Sequence, residues 1–511
     1  MSGLPKDLRP IALVVVIGAI MSILDATIVN VALQTLRTDL HVSLSTIQWV
    51  STAYLLALAS VIPLTGWMAE RLGPRTVWMA SVAAFVVTSV LCGAAWNAGS
   101  LIAFRVLQGL AGGMIMPIGM ITLAQAAGPQ RMGRVMSVVG VPMLLGPVLG
   151  PVIGGLLVDN LSWRWIFYVN LPIGLVGLVL AWRLLPKARA EGLASAAGHA
   201  TPPLDKLGLL LLSPGVAAVV FGLSEIGTHG TVGTPSALIP LAVGLSAIVA
   251  FVLRALRIAH PLVEVRLFRG AGFSAAAGTI FLLGAALFGS MILLPLYYQL
   301  ARGASPLEAG LLMTPQGIGA ALGMNVGGRL TDRIGAGRVV PVGLVILAVG
   351  TIPYALIGGH TPYLLLMAGL FVRGLGLGAT MMPAMAAAYA TLGSASEVPR
   401  ATPMLNVLQR IGGSLGVAIL TVVLQNRLAS NLGSGAGGSA AEAGTLPAAL
   451  RDRFADPLGA AFAHAYAWSL AAVLIALVPA LLLMREERRA RTRAAAADGE
   501  PQPAAAPPVP A

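Results

Sequence analysis

The sequence predicts an all-α polytopic membrane protein, and two features of its composition carry that prediction. Hydrophobic residues fill 57% of the 511 positions and charged residues only 10%, and the mean hydropathy is +0.86. A soluble domain of this length carries far more charge, whereas a membrane protein needs apolar runs of about 20 residues. The 61 glycines favour close packing in lipid, because small residues let helix backbones approach one another.

Apolar windows of about 20 residues predict fourteen transmembrane spans. The insert of spans seven and eight is the part least interrupted by polar residues. The predicted spans are residues 11–33, 47–69, 76–96, 100–124, 134–158, 165–185, 207–226, 236–254, 272–297, 306–328, 338–358, 361–390, 402–426 and 462–484.

The distribution of lysine and arginine predicts the orientation. With the N-terminus inside, 23 of the 32 basic residues fall on the inner side, six lie in outer loops and three lie within spans. Cytoplasmic segments carry an excess of positive charge, so both termini are expected in the cytoplasm. The expected location is the inner (plasma) membrane, with multiple passes.

An internal repeat predicts how the spans are grouped. The stretch 66–75 resembles the stretch 328–338 at an offset of 262, and Arg105 matches Arg373 at an offset of 268. The pair Gly146 and Gly150 matches a second glycine pair at an offset of 266. Three matches at nearly one offset predict two related bundles of six helices, with a two-helix insert between them.

The predicted domains follow from this repeat. They are an N-terminal six-helix bundle at 1–186, a cytoplasmic linker with the two-helix insert at 187–271, a C-terminal six-helix bundle at 272–486, and a cytoplasmic tail at 487–511. The tail is expected to be disordered, because alanine and proline dominate it and no apolar pattern runs through it.

Asp25 is the acid that lies deepest in a predicted span. A charged side chain at a helix centre costs about 3 kcal/mol unless it is paired, hydrated or protonated. Arg105 lies about five residues below the outer end of its span and Asp25 about eight, so their depths differ by about 5 Å. We expect the two to be partners, directly or through water, and Asp25 to take up and release a proton. A permanent structural ion pair is the alternative interpretation.

Five motifs in order resemble the major facilitator superfamily, and within it the fourteen-helix drug:proton antiporters of the EmrB/QacA type. The motifs are LDATIVN at 24–30, the loop at 66–75, RVLQG at 105–109, GPVIGG at 150–155 and WRWIFYVNLP at 163–172. The resemblance implies the major facilitator fold, in which two six-helix bundles rock about a central cavity. It also implies export of hydrophobic, often cationic compounds in exchange for protons, with Arg105 taking part in proton coupling.

The resemblance assigns a conformational gate to the loop at 66–75. In relatives, its charged residues hold the cytoplasmic side closed. Glu70 stands where relatives usually carry aspartate, and Pro74 replaces a usual basic residue. The candidate gate residues are Gly66, Glu70, Arg71, Gly73 and Arg75, with Asp332 and Arg333 in the second copy of the repeat.

Span five carries glycines and prolines that resemble the antiporter helix of this superfamily. Glycines four residues apart form a flat helix face for tight packing, and proline kinks a helix. Similar repeats mark antiporters and are usually absent from symporters; ordinary helix packing is the simpler alternative. The candidate residues are Gly146, Gly150, Pro151, Gly154 and Gly155.

The remaining candidates are polar side chains within spans. Asn30, Gln108 and Arg373 are candidate cavity contacts, with hydrogen bonding to helix backbones as the alternative for Asn30 and Gln108. Glu225 is a second candidate acid unless it lies at the membrane interface. The six histidines lack metal-ligand spacing, and the sole cysteine, Cys92, excludes an internal disulfide. The sequence predicts no catalytic residue, metal or cofactor.

Several functions stay open beside proton-coupled drug export. A proton symporter importing a small nutrient is disfavoured by the glycine–proline helix, and a dedicated exporter of one metabolite is a further alternative. An enzyme would need a polar catalytic cluster, and nucleic-acid binding is disfavoured because the basic residues are dispersed. Expected partners are lipophilic small molecules, protons and membrane lipids. Some relatives recruit a periplasmic adaptor protein, and a monomer is expected.

Overall fold

The structure, a computed structural model, describes residues 5, 7–127, 131, 150, 152–186, 203–229, 231, 233–392, 397–432 and 455–498. Helices dominate these residues, and no β-strand occurs among them. The helices are α1 (Arg9–Asp39), α2 (Leu44–Val61), α3 (Thr65–Leu72), α4 (Pro74–Gly93), α5 (Ala98–Ala127), α6 (Trp165–Tyr168), α7 (Asn170–Leu184), α8 (Lys206–His229), α9 (Pro235–Ala255), α10 (Ala271–Leu296), α11 (Pro306–Ile334), α12 (Ala336–Ala355), α13 (Tyr363–Ala390), α14 (Val398–Leu432) and α15 (Ala455–Asp498).

Twelve helices within the described ranges are long and apolar enough to cross a membrane. They coincide with twelve of the fourteen predicted spans. Predicted span ten is the helix α11, which is 29 residues long but falls short of that apolarity because it carries several polar side chains. Predicted span five lies mostly outside the described residues. The structure describes position 150 and residues 152–160 at its end, and these are helical. The count of fourteen therefore stays a prediction.

Two glycines join helices at equivalent points of the repeat. Gly73 separates α3 from α4 with φ 81°, and Gly335 separates α11 from α12 with φ 91°. With ψ near 140° and 152°, both have a backbone conformation that side chains with a Cβ rarely adopt. The offset of 262 between them matches the one predicted for the loop motif. We call the end of the molecule where α1 begins, and where both glycines lie, the inner end; the opposite end is the outer end.

The helices before the insert, α1–α7, pack chiefly with one another around α5, and we call them the N-terminal bundle. Glycine permits the closest contact. A Cβ at Gly109 or Gly113 would collide with the backbone of α2. Between α4 and α5, Phe85 lies against Gly112 and is fully buried. Small residues therefore set the spacing of helices in this bundle, as expected for packing in lipid.

The helices α10–α15 pack in the same manner, and we call them the C-terminal bundle. Here α13 lies between α11 and α12, and α10 lies against α14 and α15. Glycines at 319, 323 and 327 of α11 face the backbone of α13, and those at 412 and 416 of α14 face α10. The domain boundaries proposed from the sequence stay predictions.

The insert helices α8 and α9 pack against each other, and α8 also touches both bundles. Phe221 stacks on Trp49 of α2, with ring centroids 5.7 Å apart. Leu223 and Ile226 share an apolar cluster with Ala418 of α14. At the inner end, Asp205 accepts hydrogen bonds from Arg254 of α9 at 3.1 Å and from the backbone N–H of Gly208 at 2.9 Å. The insert thus covers one side of the junction between α2 and α14.

Candidate functional site

A buried carboxylate forms the centre of the site in the N-terminal bundle. Asp25 of α1 has no solvent-exposed surface, and its Oδ2 accepts a hydrogen bond from Arg105 Nη1 of α5 at 2.7 Å. Its Oδ1 accepts from Gln108 Nε2 at 3.0 Å and from Asn170 Nδ2 at 2.8 Å. Three donors from two helices therefore converge on one carboxylate, which offsets much of the cost of burying its charge.

The guanidinium of Arg105 is held by further contacts. Its Nε donates to the carbonyl of Val50 at 3.1 Å, and its Nη1 also donates to Gln108 Oε1 at 2.8 Å. The ring of Tyr54 lies 3.8 Å from the guanidinium carbon, which is a favourable cation–π distance. Arg105 is 1% exposed, so these contacts replace water around its charge. The predicted partnership of Asp25 and Arg105 is thus a direct ion pair in this structure.

Asn170 is a member of this network that the sequence prediction missed. It begins α7, is fully buried and donates to Asp25 and to Ser89 Oγ, the latter at 3.0 Å. Ser89 donates in turn to the carbonyl of Phe167 at 2.8 Å. A buried asparagine inside an apolar span was the available signal, because buried polar groups need partners. It lay within the motif at 163–172.

The candidate gate lies at the inner end, where the two bundles touch. Glu70 Oε1 accepts a hydrogen bond from Arg400 Nε of α14 at 2.9 Å, so an ion pair joins the bundles. A Cβ at Gly66 would collide with the carbonyl of Pro399. The approach of α3 to the start of α14 thus depends on a residue without a side chain. Both contacts join the two bundles at the inner end of the molecule.

The other candidate gate residues lie on the surface near these contacts. Arg71 lies over the ring of Trp67 at 5.5 Å, and Arg75 donates to the carbonyl of Trp182 at 2.6 Å. In the second copy of the repeat, Asp332 is half-buried and Arg333 is exposed at the end of α11. Among the predicted charged residues, Glu70 forms an ion pair between the bundles.

Two glycines of the candidate antiporter helix face α1 close to Asp25. A Cβ at Gly150 would collide with the side chain of Thr27, and one at Gly154 would lie 2.9 Å from Ile28 Cγ1. Gly155 faces open space, so it is not needed for this contact. Gly146 and Pro151 lie outside the described residues. The glycine face therefore packs on the helix that carries the buried acid, one turn away from it.

The predicted cavity contacts differ in their surroundings. Gln108 is part of the buried Asp25 network, whereas Asn30 is exposed and accepts a hydrogen bond from Ser51 Oγ at 3.2 Å. Arg373 lies in the C-terminal bundle, 4% exposed, where Nη1 donates to Gln316 Oε1 at 3.3 Å. Glu225 is half-buried near the end of α8.

Arg410 of α14 is a further charged residue that the candidate set left out. It is half-buried and lies twelve positions after the start of α14. No ion pair of Arg410 occurs among the residues that the structure describes. An arginine within a span is itself a sign of function, because burying its charge is costly.

Within the described ranges, no group of three or more His, Cys, Asp or Glu residues could hold a metal ion. The chemistry of the site is that of a single buried carboxylate and the donors that surround it. Such a group can exchange a proton when its donors move, which needs a conformational change of the helices that carry them.

Comparison with known proteins agrees with this architecture. The sequence model of the Major Facilitator Superfamily matches residues 15–417 and 276–509. A multidrug resistance protein B homolog of Mycobacterium tuberculosis is 40% identical over 494 residues, covering 93% of this chain and 89% of that protein. The multidrug export protein EmrB of Haemophilus influenzae is 30% identical over 413 residues, covering 80% of this chain and 79% of that protein.

A solved structure shares the fold. The crystal structure of the human organic anion transporter MFSD10 superposes with a TM-score of 0.61 at 16% sequence identity, and covers 94% of this chain and 100% of that chain. The family model and the relatives together define a membrane transporter. The chain belongs to the major facilitator superfamily, in the group that includes the multidrug resistance proteins named above.

Proposed function

We propose that this protein exports hydrophobic compounds, many of them cationic, in exchange for protons, by alternating access between two bundles. The observation that carries the proposal is the fully buried ion pair of Asp25 and Arg105, in a chain 40% identical to a multidrug resistance protein B homolog. A buried acid with a basic partner inside a bundle is the usual mark of a proton pathway in transporters.

In this proposal Asp25 carries the proton. When Arg105, Gln108 and Asn170 surround the carboxylate, all three donors favour its ionised form. A proton can bind when a movement of α1 relative to α5 and α7 removes these donors, because an ionised carboxylate without partners is unstable in an apolar bundle. The change between these two environments couples proton uptake to the change in access.

The contacts at the inner end support an assignment of the conformational state within the transport cycle. We propose that the inner end is cytoplasmic, with both chain termini on that side, and that Glu70 and Arg400 hold it closed. The closed inner end then corresponds to an outward-facing state, in which substrate leaves and a proton enters. Opening toward the cytoplasm requires the ion pair to break and Gly66 to separate from Pro399.

Efflux measured in everted membrane vesicles tests the proposed function. An imposed pH gradient, acidic inside the vesicle, is expected to drive uptake of dyes and antimicrobials, and a protonophore is expected to abolish it while ATP is present. Continued uphill transport after collapse of the proton gradient would exclude proton coupling. The panel contains cationic, neutral and anionic compounds, and transport of only one of them would favour a dedicated exporter. Gradient-driven import would favour a symporter.

A further inference from the structure

Arg373 carries a buried charge that no acid of the described residues balances. It lies in the middle of α13 and is 4% exposed, and its one hydrogen bond, from Nη1 to Gln316 Oε1, is 3.3 Å long. Its Nε makes no hydrogen bond in the described part of the chain, and no ion pair reaches it there. A buried guanidinium without a counter-charge is costly, so a compensating group is expected.

The internal repeat shows what is missing. At the offset of 262 that relates Gly73 to Gly335, the position equivalent to Asp25 is Leu287, and at the offset of 268 that relates Arg105 to Arg373 it is Leu293. Arg105 and Arg373 correspond in the same repeat. The C-terminal bundle thus keeps the arginine of the first bundle but has leucine where the first bundle has the carboxylate.

A small cavity lies at this place. Its volume is about 10 Å³, and Arg373 is the only charged residue among its described lining residues. That volume accommodates about one water-sized guest. The other lining residues are Leu283, Ala286, Leu287, Leu347, Leu377 and Val473.

A second buried donor of the C-terminal bundle lacks a hydrogen bond within the described residues. It is the hydroxyl of Tyr466 in α15, a side chain that is fully buried. A guanidinium N–H and a phenolic O–H can both donate to an anion. The other lining side chains are apolar, so none of them competes with an anion for these donors.

We propose that this cavity binds one monovalent anion of the size of chloride, which neutralises Arg373 in the place of the carboxylate. A water molecule would satisfy Nε but would leave the buried charge unbalanced. The volume is too small for sulfate or for an organic acid. Chloride then stabilises the packing of α10, α13 and α15 around the cavity, and this role does not depend on the direction or substrate of transport.

Thermal unfolding of the purified full-length protein tests this proposal. At constant ionic strength, chloride and bromide are expected to raise the midpoint of unfolding by about 2 °C or more relative to gluconate, with saturation, because they bind the folded state. Sulfate is expected to have no such effect. Diffraction at the bromine absorption edge locates the ion, with an anomalous peak expected beside Arg373.

Two variants separate the anion from general effects of salt. Arg373→Gln is expected to unfold at a midpoint that is independent of chloride, while Arg257→Gln, at an exposed position, retains the wild-type response. Leu287→Asp supplies a carboxylate at a position that lines the cavity beside Arg373, and is expected to remove the chloride response while preserving the fold. An equal chloride effect in Arg373→Gln and wild type, or the lack of a bromide peak in the cavity, would overturn the proposal and leave water as the guest.

Discussion

The Oδ2 atom of Asp25 and the Nη1 atom of Arg105 lie 2.7 Å apart, and both side chains are shielded from solvent. The two residues are 80 positions apart in the chain and come from α1 and α5. Every donor that holds the carboxylate belongs to a helix other than α1. Relative movement of these helices therefore changes the environment of the acid, and this is the basis of the first two predictions.

Asp25→Asn is expected to abolish uphill efflux while leaving substrate binding and passive exchange of neutral substrates. Asparagine mimics the protonated carboxyl group and cannot release a proton. The measurement compares pH-gradient-driven transport and substrate-induced proton release at equal membrane expression, with Asp7→Asn as the control, because Asp7 lies in an exposed ion pair with Arg131. Full uphill transport by Asp25→Asn would assign the proton to another group, with Glu225 the next candidate.

Asn170→Leu removes one donor from the buried carboxylate. A buried acceptor that loses its partner destabilises a protein by about 1–3 kcal/mol, so a lower unfolding midpoint is expected. Ser89→Ala is the matched control, since Ser89 contacts Asn170 but not Asp25. A loss no greater than that of Ser89→Ala would mean that the hydrogen bond from Asn170 to Asp25 does not stabilise the fold.

Exchange of the charges of Glu70 and Arg400 tests the gate. Glu70→Arg alone places two arginines opposite each other and is expected to slow efflux of all substrates. The pair is partly exposed and contributes at most about 1 kcal/mol, so changes up to about fivefold are expected. The double variant Glu70→Arg with Arg400→Glu should restore much of the rate. If the double variant is no faster than the single one, the ion pair is not the functional contact.

Gly73→Leu is expected to slow efflux of every substrate by a similar factor. The backbone at φ 81° disfavours any residue with a Cβ, at a cost of about 1–3 kcal/mol, and the turn between α3 and α4 lies next to the gate. Gly233→Leu is the control, because Gly233 lies in a loop with open space around it. The measurement is the transport rate of each substrate in a panel. An altered order of substrate preference at normal rates would contradict a role in conformational exchange.

Cysteine labelling tests the orientation. In a Cys92→Ala background, His260→Cys and His360→Cys place single thiols at exposed positions in two short loops. A membrane-impermeant reagent is expected to label position 360 in intact cells and position 260 only after permeabilisation. The reverse pattern would place the termini outside.

Much of the fold follows from the sequence alone. Apolar runs of about 20 residues indicate helices in lipid, whatever their neighbours are. Twelve of the fourteen predicted spans coincide with helices apolar enough to cross a membrane. The repeat was visible as three nearly equal offsets, and Gly73 and Gly335 have one of them, 262, in the structure. The depth of Asp25 and Arg105 in their spans likewise sufficed to predict their partnership.

The partners that complete the site were decided by tertiary structure. Asn170 is 145 positions from Asp25, and Arg400 is 330 positions from Glu70. Hydropathy locates a span but does not determine how far its helix is rotated about its own axis, so it cannot say which side chains meet. Tertiary structure likewise decides the position of α8 between α2 and α14 and forms the cavity beside Arg373. Close packing of whole helices determines those contacts. Glycine faces permit the close approach, and the shapes of the side chains determine which helix faces fit together.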